Sequence, residues 1–115
     1  MEEFRLEAGD GRTVCERCVR AESPLRRMRG LLGRRSLAPD EGILLRPAGS
    51  IHTAFMRFPI DAVFVDGDGR VMKVVDSIPP WRTAAAKGAK AVLELPAGAA
   101  ANAGLAPGEQ LRLSG

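Results

Sequence analysis

At 115 residues, 45% hydrophobic and 27% charged, the chain is long enough to bury a core as one domain, residues 1–115, without metals or disulfides. No apolar run approaches the length of a membrane span, and the N-terminal MEEFRLEAGDGR is acidic without an apolar signal core, so a cytoplasmic protein with no membrane partner is expected. The net charge of +3 rests on arginine, which supplies fourteen of the seventeen basic residues, seven of them between Arg17 and Arg35. That cluster favours an anionic partner, but with one Trp, no Tyr and no nucleic-acid motif a solvated helix face is the preferred reading, and nucleic acid is not expected to bind.

In chain order, Phe4 to Leu6 and Thr13 to Val19 read as two short strands around the turn Gly9-Asp10-Gly11. The second carries Cys15 and Cys18. If this segment is a strand, positions three apart point to opposite faces and lie roughly 10 Å apart, too far to share a bridge or an ion. Two reduced thiols are therefore the preferred reading, and no cofactor is expected. Zinc through Cys15, Cys18 and His52 is a weaker alternative that lacks a fourth ligand, and a redox pair is weaker still, since no helix follows Cys18 directly. Ser23 and Pro24 then suit the first positions of a helix ending near Gly33, with Leu25, Met28, Leu31 and Leu32 as its apolar stripe.

A strand at Gly42 to Arg46 leads to the central stretch, SIHTAFMRFPIDAVFVDGDGRVMKVVDS. Ile51 to Phe58 reads as an interior strand, since both alternating faces are largely apolar. Pro59 bends the chain, and Arg57 and Asp61 flank the bend, where they can pair. Ile60 to Val65 is apolar at every position but Asp61, the pattern of a strand covered on both faces. Asp66-Gly67-Asp68-Gly69 then suits a hairpin turn, and too few carboxylates follow for a calcium loop. Arg70 to Val75 forms the return strand.

Ser77 to Gly88, SIPPWRTAAAKG, reads as the longest irregular segment, its two prolines opposing regular pairing. Trp81 there has two readings. In the preferred one it folds back to plug the open end of a barrel; in the other it stacks on a ligand beside Arg82. Ala91 to Leu95 is a strand ended by Pro96, and Gly98 to Ala103 is a short helix. Gly104 sits at the left-handed C-cap position with Leu105 as its apolar contact, before a last strand at Gln110 to Leu113.

The run HTAFMRFPIDAVFVDGDGRV resembles the central signature of the DUF192 family of small bacterial and archaeal proteins. RRMRGLLGRRSL resembles the family's Arg-Gly-Leu helix, GILL its first interior strand and LELPAGAAANAGLAPGEQL its C-terminal segment. The resemblance runs from about Arg26 to Leu111. It implies a mainly β fold, a compact sandwich or partly closed barrel with one helix in the N-terminal half and a short C-terminal helix. It implies no activity, because the family has none established.

For chemistry the chain offers little. His52 and Asp61 are the candidate catalytic pair, a base and its orienting carboxylate, and they would serve a hydrolase. A core histidine is the preferred reading of His52, and Asp61 is expected to accept backbone amides or to pair with Arg57. No nucleophile elbow, phosphate loop or paired-histidine motif is present. A non-catalytic domain is therefore expected, binding a small molecule, glycan or peptide in a cleft edged by residues 77–88. Its candidate contacts are Trp81, Arg82, His52 and Arg57.

Overall fold

The structure is a computed structural model and describes residues 3–23, 34–54 and 56–112. The helix expected from Pro24 to Gly33 lies outside the described residues, as does Leu113 at the end of the last expected strand.

The chain is mainly β. Its strands are β1 (Glu3–Ala8), β2 (Thr13–Ala21), β3 (Glu41–Leu45), β4 (Ser50–His52), β5 (Ile60–Val65), β6 (Val71–Ile78), β7 (Thr83–Ala85), β8 (Ala91–Pro96) and β9 (Leu111–Arg112), with one short helix, α1 (Ala99–Asn102), between β8 and β9. Seven strands form one sheet in the order β6-β5-β8-β3-β2-β1-β9, while β4 and β7 pair as a separate ribbon. The large sheet curls until its edges touch: Arg70 bridges Gln110, and the Val71 amide donates to the Glu109 carbonyl at 2.8 Å. The result is a half-barrel, in line with the partly closed barrel expected from the sequence.

Both faces of the sheet are apolar. Leu6, Leu44, Val63, Leu93, Leu95 and Leu111 fill the inside of the curl. Ile43, Leu45, Ile60, Phe64 and Val92 form a second layer on the other face, with Ile51, Met56 and Phe58 packed over it. This explains the continuous apolar run of β5, where all six residues are buried. Alternation sends Ile60, Ala62 and Phe64 to one cluster and Val63 and Val65 to the other.

The β5–β6 hairpin closes where the Asp-Gly pairs predict. Asp66 Oδ1 accepts the Asp68 and Arg70 amides at 2.9 and 3.0 Å, and Gly69 takes φ 86. Behind α1, the Gly104 amide donates to the Ala101 carbonyl and the Leu105 amide to the Ala100 carbonyl, both at 3.0 Å. With Gly104 at φ 68 and Leu105 buried, this is the Schellman ending that Gly104 and Leu105 foretold.

Two expectations are corrected. The expected strand Ile51 to Phe58 stops at His52, because the Met56 amide turns back to the Thr53 carbonyl at 3.2 Å. The turn resets the alternation, so Ile51, Thr53, Met56 and Phe58 are buried while His52 and Arg57 are exposed. The segment from Ser77 to Gly88 is also more regular than its prolines suggest. β6 continues through Ile78 and β7 pairs with β4, leaving only residues 79–82 irregular before β7.

The buried carboxylate of Asp61 joins three pieces of this fold. Ile60 faces Ile78 and Ala62 faces Val75, so β6 carries one extra residue opposite Asp61, a β-bulge. The bulge places Ser77 at φ 50, and its amide donates to Asp61 Oδ1 at 2.8 Å. Asp61 Oδ2 accepts the Gly98 and Ala100 amides, each at 3.0 Å, at the start of α1. Gly98 is the N-cap residue and has no side chain to cap with, so Asp61 supplies the acceptor from another strand. No ion pair joins Asp61 to Arg57; of the two expected roles, the structure shows amide acceptance.

Asp61→Ala is expected to destabilise the fold by about 3 kcal/mol or more, since it leaves buried amides without acceptors. Asp61→Asn should lie between it and wild type, because one carbonyl oxygen can serve either Ser77 or the Gly98 and Ala100 pair. Urea unfolding of the variants reads the difference. A second expectation concerns acid. Glu41 accepts both terminal nitrogens of Arg34 and the Ala38 amide, and the guanidinium of Arg34 holds its carboxyl below the ordinary glutamate range. A depressed folded pKa stabilises above the unfolded value and loses that stabilisation as pH falls through the folded value. Melting temperature should therefore fall on acidification below about pH 4.5, and Glu41→Gln should flatten that part of the profile.

Candidate functional site

Trp81 stands out on the surface of the chain. It is 61% exposed, the one large hydrophobic side chain among the described residues to be so, and its backbone sits at φ 64. A bulky non-glycine residue in the left-handed region is strained, and the surrounding structure has to hold it there.

Thr53 does that holding. It is fully buried; its hydroxyl donates to the Pro79 carbonyl at 2.6 Å and accepts the Arg82 amide at 2.8 Å. Its own amide donates to the Arg82 carbonyl at 2.8 Å, and its carbonyl accepts the Trp81 amide at 3.0 Å. The turn is thus clamped on both sides by one residue. At its near end it leaves the β6 bulge that Asp61 fixes, so both ends of residues 77–82 are anchored from the interior.

The exposed side chains around the turn are mixed: Arg82 and His52 stand with Asp76, Ser77 and Thr83. Arg82 is exposed, and its Nη1 donates to the Trp81 carbonyl at 3.3 Å. His52 is exposed on β4, directly opposite Thr83 of β7. Arg57 is exposed in the segment that leads from Thr53 to β5. The plug reading of Trp81 and the core reading of His52 are therefore both overturned. Each residue lies outside the apolar layers, and α1, not Trp81, lies across β5, β6 and β8. Two clefts lie elsewhere among the described residues. One of about 380 Å³ is lined by Thr13, Val14, Pro39, Pro96 and the face of α1, and another of about 220 Å³ lies beside Arg17, Arg34 and Glu41.

The proposed catalytic pair is not assembled. Asp61 is fully buried with both oxygens committed to amides, His52 is exposed, and no hydrogen bond or ion pair joins them. Nor do the zinc candidates converge: Cys15 and Cys18 are buried inside the curl, His52 is outside it, and no three metal-binding side chains gather among the described residues.

The cysteines do meet each other, contrary to the alternation argument. Cys15 faces Leu6 and Cys18 faces Phe4 across β1 and β2, so three steps on β2 match two on β1. This bulge breaks the alternation and brings both thiols to one face.

Two residues mattered more than the sequence suggested. Thr53 had no role in the sequence argument beyond lying in the expected strand from Ile51 to Phe58, and its turn depends on contacts with residues 79–82. Glu94 is fully buried on β8, visible in sequence as the lone acid in the apolar run from Ala91 to Leu95.

Comparison with known proteins supports the fold and leaves the activity open. The model of DUF192, described as an uncharacterized ACR family, matches residues 6–113. A crystal structure from Sinorhizobium meliloti 1021, described as a "putative transcription regulator", is 27% identical with a TM-score of 0.80, covering 97% of this chain and 95% of that one. A protein of unknown function from Novosphingobium aromaticivorans DSM 12444 is 26% identical with a TM-score of 0.81, covering 96% of this chain and 84% of its own. No curated protein matches. The half-barrel and the match over nearly all its length place this chain in the DUF192 family.

Proposed function

We propose that this chain is a non-catalytic binding domain whose contact surface is the Trp81-Arg82 turn with His52 and Arg57 beside it. The observation that carries this reading is Trp81, exposed and held in a strained backbone conformation by a buried threonine. A turn whose backbone is already fixed loses little entropy on binding, which suits a ligand contact. An indole face takes a flat apolar surface, and the neighbouring guanidinium groups take an anion. Among small molecules, glycans and peptides, an acidic sugar or a comparable flat-faced anion fits this chemistry best.

Catalysis has less support, since Asp61 is spent on structure. The description of the Sinorhizobium relative raises DNA as a partner. Here Arg5, Arg12, Arg17, Arg34 and Arg112 each face a carboxylate, which weakens the positive field that phosphate binding needs.

Trp81 is the only tryptophan and there is no tyrosine, so intrinsic fluorescence reports on this turn directly. Titration with acidic oligosaccharides should shift the emission, while neutral ones should do so weakly or not at all. Trp81→Ala, followed by calorimetry, should weaken binding at least about tenfold, roughly 1.4 kcal/mol, while leaving the melting temperature nearly unchanged. Unaltered binding in that variant, or a large loss of stability without loss of binding, would sink the proposal. Thr53→Val keeps the shape and the backbone bonds but removes the hydroxyl part of the clamp, and it should cost about 2 kcal/mol of stability. Its fluorescence anisotropy should fall as the turn loosens.

A further inference from the structure

The bulge in β2 creates a chemical feature that strand alternation hides. Antiparallel partners in register project to the same face, and Phe4 and Leu6, two apart on β1, share a face. Their partners Cys18 and Cys15 must then share it as well. The pair spans only the two-residue length of β1 opposite it, about 6.6 Å at strand rise, against an accessible Cα separation of about 4.4–6.8 Å for a disulfide.

A second observation places the sulfurs independently. On the other side of β2, Gly42 of β3 is the register partner of Cys18. A Cβ added at Gly42 would lie 2.8 Å from Cys15 Sγ. The Cys15 sulfur therefore fills the space over the residue beside Cys18, and the missing side chain at Gly42 is what admits it. Both thiols belong to the apolar cluster inside the curl, Cys15 at 3% exposure and Cys18 at 0%. The Cys15 thiol donates to the Asp40 carbonyl at 3.5 Å and the Cys18 thiol to the Val19 carbonyl at 3.9 Å. The neighbouring thiol holds Cys15 below the ordinary thiol range, and the same interaction together with burial pushes Cys18 up.

We propose that Cys15 and Cys18 are a reversible dithiol–disulfide pair, an oxidation site for small hydroperoxides set in the wall of the half-barrel. The Cys15 thiolate attacks one peroxide oxygen and the O–O bond breaks. Cys15 becomes a sulfenic acid, and the departing alkoxide or hydroxide takes up a proton to leave as alcohol or water. The Cys18 sulfur then attacks the Cys15 sulfur, the S–O bond breaks, and the hydroxyl leaves as water with the Cys18 proton. Two thiols and one hydroperoxide thus give one disulfide, one alcohol or water, and one further water. A small dithiol reverses the change. Only a slim oxidant suits so buried a pair, which sets hydrogen peroxide apart from bulky disulfides.

The test is oxidation of the native, full-length protein by hydrogen peroxide, followed by quenching, unfolding, alkylation with iodoacetamide and peptide mapping. The expected product carries no alkylated cysteine and has a Cys15–Cys18 peptide about 2 Da lighter than the reduced form. Dithiothreitol should restore two alkylated sites, and the rate should rise in proportion to peroxide. In Cys15→Ser, Cys18 should stay open to alkylation at the same dose. Two thiols still alkylated after exposure would overturn the proposal, as would a disulfide between chains. So would a rate independent of peroxide, which would mean that oxidation waits on unfolding. Oxidation of Cys18 at an undiminished rate in the variant would overturn it too. If that variant does not fold, the wild-type product and rate law still decide.

Discussion

The carboxylate of Asp61 receives amide protons that the strand ladders cannot serve, and the architecture on that side of the sheet depends on it. A buried carboxylate is tolerable only when its lone pairs are met, and the backbone meets them from a bulge and from the start of a helix. The Ser77 amide fixes the place where β6 departs from regular pairing. The Gly98 and Ala100 amides fix α1 against β5. Removing this acceptor would loosen the edge strand and the helix together, because one group serves both.

Bulges are the recurring device of this sheet. In β6 the extra residue redirects the chain toward the Trp81 turn, and in β2 it sets two thiols side by side. Each strand pair carries a second register shift, β1–β2 between Leu6 and Glu7 and β5–β6 between Phe64 and Val65, and the apolar layers survive on both faces. The positions that depart from regular strand geometry are the ones with chemistry to offer. The even stretches of β5, β3 and β8 supply the rigid wall behind them.

The exposed turn gains its order from below. Thr53 lies in the buried layer and reaches three residues of the 79–82 segment through its hydroxyl and its backbone. Trp81 and Arg82 are thus presented on a surface whose supports are fully buried, while His52 is held opposite Thr83 by the β4–β7 ribbon.

Where a signal is local, the sequence was sufficient. The apolar run of Ile60 to Val65 announced a doubly covered strand, the Asp-Gly pairs announced the hairpin, and Gly104 with Leu105 announced the end of α1. Each follows from dihedral preference or from periodicity within a few residues. What Asp61 bonds, where His52 and Trp81 point, and whether Cys15 and Cys18 meet were decided by pairing between distant segments. Ser77 and Gly98 reach Asp61 from sixteen and thirty-seven residues away, and Phe4 and Leu6 set the register that brings the thiols together. A bulge shifts every later side chain to the other face, and the strand opposite determines its position. The sequence by itself determined the strands and their ends; only tertiary pairing decided which side chains share a face, because that register is a relation between strands and is written in neither one alone.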